Sequence, residues 1–180
     1  MSIRDTRRDA TLDRMADHLL RMGLAGASLR SLAAAAGTSD RMLLYYFADK
    51  DEILSATLEH VALRLAGLLD EIVPSTTRLS FGTLLSELWA ATGSPTLQPF
   101  MRLWLDLAGS AARGLEPHRA TSGHIADGFL AWIASRLDVP EADRAGSAAA
   151  LLAVIEGLVV LDAVGRHDLA KVAAAALAKT

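Results

Sequence analysis

The sequence predicts an all-α fold of eight or nine helices, and three observations carry that expectation. Apolar residues recur at three- and four-residue spacing along almost the whole chain. No segment sustains the period-two alternation of a strand, and no Asn-Gly or Asp-Gly hairpin signal occurs. Glycines and prolines fall between the periodic segments, where helices must stop.

In the first helix Leu12, Met15, Ala16, Leu19 and Leu20 form one stripe, while Asp9, Asp13, Asp17 and Arg21 take the other face; it stops near Gly23. Ser28 is placed to cap a short second helix, Leu29 to Ala36, closed by Gly37. Ser39 is placed to cap a third that runs to about Phe47. Asp49 and Glu52 have the spacing of a capping box ahead of Leu54, Leu58, Val61, Leu65, Leu68 and Ile72, and Pro74 ends that fourth helix. Further helices are expected over about Leu79–Ala91, Thr96–Ala112, Pro117–Leu137, Glu141–Val164 and Asp168–Ala178.

The composition narrows the function classes. The chain has 180 residues, 52% hydrophobic and 22% charged, enough for a packed core and far from the profile of a disordered segment. It has no cysteine, which excludes disulfides, thiolate catalysis and cysteine-ligated metals. The longest uncharged stretch, Leu88 to Met101, is interrupted by Gly93, Pro95 and Pro99, and Met1 to Arg8 leads into no apolar run. Neither a membrane span nor a secretory signal is therefore expected, and the location expected is cytoplasmic. No two of His18, His60, His118, His124 and His167 share a metal-binding spacing, and no phosphate-loop, dinucleotide or nucleophile-elbow motif is present. No catalytic residue, metal site or cofactor is expected.

The net charge of −3 is unevenly placed: residues 1–50 hold eight Lys/Arg against six Asp/Glu, whereas the remainder carries a balance of −5. The basic-leaning part contains Ser28-Leu29-Arg30-Ser31-Leu32-Ala33-Ala34-Ala35-Ala36-Gly37-Thr38-Ser39-Asp40-Arg41-Met42-Leu43-Leu44-Tyr45-Tyr46-Phe47. Two helices of about two turns joined at Gly37 make a helix-turn-helix. Leu32, Ala33, Ala36, Leu43 and Phe47 pack into the angle between them. Arg41, Met42, Tyr45 and Tyr46 then face outward, where the second helix would enter a major groove. The bland alternative is a buried aromatic cluster, but two adjacent tyrosines cannot both share the face of Phe47.

This stretch resembles the TetR family of transcriptional regulators, in motif detail from about Arg8 to Leu54 and beyond that in helix number and length. Ser28 to Ala33 resembles the start of the family's second helix, and Ala36-Gly37-Thr38-Ser39 its turn. Leu43 and Phe47-Ala48-Asp49-Lys50-Asp51-Glu52-Ile53-Leu54 resemble the ending Y-x-H/Y-F-x-x-K-x-x-L, with Leu44 standing where the family usually has a tyrosine. The resemblance implies a DNA-binding domain over residues 1–48 and a ligand-binding and dimerisation domain over 49–180. It implies phosphate contacts by Ser28, Tyr46 and Lys50, and places Thr38, Ser39, Arg41, Met42 and Tyr45 at or near base edges of a double-stranded operator. Arg4, Arg7 and Arg8 either reach DNA or belong to a frayed terminus.

In the body, Phe100, Trp104, Phe129 and Trp132 are either core residues or, as the resemblance implies, walls for a small apolar effector, with Arg102, Asp106, His118 and His124 as candidate polar contacts. The helix from Glu141 is apolar on more than one face, so it needs cover on more than one side. The resemblance implies a homodimer in which this helix and the last one, Asp168–Ala178, pair with those of a second copy, with Leu151, Val154, Leu158 and Leu161 at the interface; the alternative is burial inside one chain. The reading these expectations form is a ligand-responsive regulator, a repressor, on a partly palindromic operator. Its rivals are an all-helical small-molecule binder without DNA binding and a helical enzyme.

Overall fold

The computed structural model describes residues 3–179, with side chains from Arg7 onward. Among these residues the fold is all-α, with nine helices: α1 (Ile3–Met22), α2 (Leu29–Ala36), α3 (Asp40–Tyr46), α4 (Lys50–Ile72), α5 (Phe81–Thr92), α6 (Gln98–Ala112), α7 (His118–Ala134), α8 (Glu141–Ala163) and α9 (His167–Leu177). A single 3-10 turn, Leu24–Gly26, links α1 to α2.

Local chemistry sets the first four helices where the spacing puts them. Ser28 Oγ accepts from the Ser31 amide at 3.1 Å, and Ser39 Oγ from the Met42 amide at 3.3 Å, each satisfying a donor that the helix start leaves over. Gly37 ends α2 at φ 70°, and its amide and that of Thr38 return to the carbonyls of Ala34 and Ala33. At α4 the Asp49 carboxylate accepts from the Glu52 amide at 2.8 Å, but Glu52 reaches back past Asp49 to the Ala48 amide, at 2.5 Å.

Two later boundaries depart from the sequence reading for one reason. The Leu79 amide donates to the Arg136 carbonyl at 2.8 Å, and the Asp138 amide to the Leu79 carbonyl at 2.8 Å, a parallel bridge between Leu79 and Leu137. Backbone groups paired across the chain cannot also serve a helix ladder, so α5 starts at Phe81 behind its cap Ser80, and α7 ends at Ala134. The start of α6 moves to Gln98 because Ser94 takes the amides of Leu97 and Gln98 into a turn.

The chain gathers into two compact units, one running to Arg64 with Arg102–Ile125, the other Leu65–Met101 with residues 126–180. The first buries Leu12, Met15, Ala16 and Leu19 of α1 with Leu32, Ala33 and Ala36 of α2, Leu43 and Phe47, and Ile53, Leu54, Leu58 and Val61 of α4. Across α1 and α4, Asp13 meets His60 at 2.7 Å and Asp17 meets Arg64 at 2.8 Å, exposed pairs worth about 0–1 kcal/mol each.

The second unit centres on Leu85, Leu158, Ala170 and Ala174 of α5, α8 and α9, with Phe81, Trp89, Val154, Ile155 and Leu161 against them. α5 comes so close to the end of α9 that a Cβ on Gly82 would lie 2.2 Å from the Ala178 carbonyl oxygen. A polar knot joins the ends of α4 and α7 in the same unit. Arg136, only 4% exposed, donates from Nε to the Val73 carbonyl at 2.9 Å and from Nη1 to the Trp132 carbonyl at 3.1 Å, and its Nη2 pairs with Asp70. Burial pushes its guanidinium below the ordinary arginine range; Asp70 pulls it back up, and Arg78 adds to the fall.

Candidate nucleic-acid interface

α3 has seven residues, and Leu43 together with Phe47 just beyond it spends the inward arc on the core. The other positions are exposed except Tyr46, at the edge of that arc. Arg41 is exposed, Met42 is 41% exposed, Tyr45 is 63% exposed and Tyr46 is half-buried. The two tyrosine rings meet edge to face, with centroids 5.4 Å apart, which holds Tyr45 in a defined outward pose. Leu44 is exposed as well, at 46%, a placement that sequence reasoning noted only as an odd residue in a motif. The helical angle alone could have found it, since a residue next to a buried Leu43 on so short a helix lies on the outer arc.

The scaffold behind this face is tied down by named contacts. Arg14 of α1 donates to the Ala36 carbonyl at 2.9 Å and so finishes the C-terminal end of α2. The Arg8 guanidinium lies 4.7 Å from the centre of the Phe47 ring, against the back of α3. At the α1–α2 turn the Asp106 carboxylate of α6 accepts from the Leu24 amide at 3.4 Å, in space that a Cβ on Gly23 would enter at 2.5 Å.

Of the other residues singled out for DNA, Ser28 and Ser39 are exposed but use their hydroxyls as caps; Ser28 Oγ also lies 2.6 Å from Ser31 Oγ, which leaves it one further site, while Ser39 Oγ keeps a lone pair and its proton. Thr38 is half-buried at the turn, and Lys50 is exposed at the first position of α4. Of the carboxylates beside Lys50, those of Asp49 and Glu52 are turned to backbone amides, and Asp51 is exposed. Arg7 is exposed; the side chain of Arg4 lies outside the described residues.

The aromatic residues of the body divide differently. Trp104 is half-buried in the first unit, whereas Phe100, Phe129 and Trp132 belong to the second. Phe100 is core, and Phe129 is half-buried. Trp132 is only 9% exposed, its indole N–H donates to Asp70 at 2.7 Å, and its ring lies 3.9 Å from the Arg136 guanidinium, so its polar handle and one face are already occupied. Among the candidate polar contacts, Asp106 serves the α1–α2 turn and His118 Nδ1 lies 2.6 Å from Ser110 Oγ, while Arg102 and His124 are exposed.

The residues expected to meet a second copy all lie on α8. Leu151 and Leu158 are buried inside the chain, and Val154 and Leu161 pack on the α5–α8–α9 cluster. The large apolar side chains that these helices leave to solvent are instead Val160, Val164, Leu169, Val172 and Leu177. α8 is, among the described residues, the one helix long and apolar enough to cross a membrane by length and composition.

A two-turn helix packed against a second short capped helix, with Arg41 and Tyr45 outward, defines a helix-turn-helix. The family model for bacterial regulatory proteins of the tetR family matches residues 16–57, the segment just described. Over those residues the chain carries the sequence pattern of that family. Over 61 residues it is 39% identical to the HTH-type transcriptional regulator BetI of Paraburkholderia phytofirmans and 36% identical to that of Burkholderia thailandensis. The match takes in 34% of this chain and spans about a third, 31%, of the length of those relatives. Likeness over the whole fold comes from solved structures. A putative TetR-family transcriptional regulator from Rhodococcus sp. superposes at a TM-score of 0.74 with 22% identity, covering 94% of this chain and 95% of that one. The multidrug binding protein EbrR, complexed with proflavin, follows at 0.68 with 24% identity, covering 96% and 98%.

Proposed function

We propose that this chain is a ligand-responsive transcriptional repressor. It grips a partly palindromic duplex operator as a cytoplasmic homodimer, and releases it when a small, largely apolar effector binds. Residues 1–48 read the DNA, and residues 49–180 bind the effector and pair the copies. The observation that carries this is the outer face of α3: Arg41, Met42 and Tyr45 exposed over a buried Leu43 and Phe47. Arg41 suits bidentate contact to a guanine, while Ser28, Tyr46 and Lys50 take phosphates and set the register. Thr38 and Ser39, at the turn, lie at the edge of the same contact.

The pairing face is the exposed apolar set on α8 and α9, Val160, Val164, Leu169 and Val172, because apolar side chains left to water gain most from a second copy. A small-molecule effector has its precedent in the multidrug binding protein EbrR, which is complexed with proflavin. α4 is the natural link, continuous from Lys50 to the Asp70 that meets Arg136. A hundredfold loss of operator affinity requires about 2.7 kcal/mol of coupling, within the usual range for allostery.

Selection of bound sequences from random duplex DNA is the test. The expected result is an inverted repeat with half-site centres about one or more helical turns apart, bound more weakly as salt rises. Absence of any selected motif overturns the reading. Tryptophan fluorescence and operator release across a panel of apolar compounds, in wild type and separately in Trp104→Ala and Phe129→Ala, tests the effector.

A further inference from the structure

We propose that α3 reads thymine methyl groups through Met42 and Leu44, on either side of the guanine taken by Arg41. This rests on the DNA-reading function proposed above and names the class of operator that this face fits. Met42 is 41% and Leu44 46% exposed, although each carries a large apolar side chain on a helix of seven residues. Packing cannot take them in, because Leu43 and Phe47 already fill the inward arc. At 100° per residue, Met42 lies about 100° to one side of Arg41 and Leu44 about 60° to the other, so the cation has an apolar flank on each side. Leucine neither donates nor accepts a hydrogen bond, and the methionine sulfur accepts only weakly, so amide and carbonyl groups on base edges give them little. The apolar group that the major groove displays is the C5 methyl of thymine. Each half-site is therefore expected to place thymines around a guanine.

The test compares the selected operator with one in which deoxyuridine replaces each thymine of the half-site in turn. That change removes the methyl and keeps the base pairing. The full-length protein is titrated as wild type, Met42→Ala and Leu44→Ala, after thermal melts confirm that both variants fold. Wild type should lose about fourfold in affinity for each contacted methyl. Leu44→Ala should bind thymine and uracil operators equally at one position, and Met42→Ala at another, the non-additivity that marks a direct contact. Equal wild-type affinity for thymine and uracil operators, with sequence-specific binding retained, overturns the methyl reading and leaves the regulator standing. Variants that still discriminate every thymine from uracil overturn it too. If no duplex is preferred over any other, the DNA-reading function fails and this inference with it.

Discussion

Tyr45 and Trp132 are both large aromatic residues on helices, and both were marked by the sequence as contacts for a ligand, yet the fold uses them in opposite ways. Tyr45 is 63% exposed and meets its neighbour Tyr46 edge to face. Trp132 is almost buried, hydrogen-bonded to Asp70 and covered by Arg136. The difference lies in what surrounds each helix. α3 has one buried side, fixed by Leu43 and Phe47, so any further ring must go outward. α7 has an acid from the end of α4 within reach, and a desolvated guanidinium to lay over the indole. An aromatic residue thus advertises a partner without saying whether the partner lies inside the chain or outside it.

The contrast can be broken most sharply by truncating both rings. Trp132→Ala should destabilise the fold by about 3–5 kcal/mol, whereas Tyr45→Ala should change it by less than about 0.5 kcal/mol, read from paired urea melts. Equal losses would mean that Tyr45 is a structural ring as well. Removing the cover rather than the ring comes next. Arg136→Met keeps the unbranched apolar stem but removes the guanidinium and strands the Val73 carbonyl, and the expected loss is about 2–4 kcal/mol in the same melts.

The outward side is sharpened by DNA titration. Arg41→Ala should lower operator affinity by about 1–3 kcal/mol and relax preference at one base pair per half-site, with an unchanged melt. Lys50→Ala should be the smallest effect: a similar loss on every sequence, with a salt slope shallower by about one. A lysine variant that alters the selected motif would move Lys50 from the backbone to the bases.

The N-terminal region was legible because its determinants are local. Ser28, Ser39 and Asp49 act within three residues of the amides they cap, and Gly37 supplies the left-handed turn that α2 needs in order to stop. The outward set Arg41, Met42 and Tyr45 followed from the inward pair Leu43 and Phe47 by helical angle alone, and Leu44 was within reach of the same argument. Helix number and most helix ends were settled in the same way, by spacing and punctuation over a few turns.

Tertiary structure decided what spacing leaves degenerate. The backbone pairing of Leu79 with residues 136–138 shortens α5 and α7, and no local signal announces a partner nearly sixty residues away. α8 is apolar on several faces, so its pattern alone could not say which leucines go inward; packing against α5 and α9 spends Leu158 and leaves Val160 and Val164 to solvent. Trp132 and Arg136 are fixed by Asp70 and Val73, more than sixty residues earlier in the chain. Caps and turns are encoded where they act. The choice among several equally apolar faces is made only when distant segments compete to bury them.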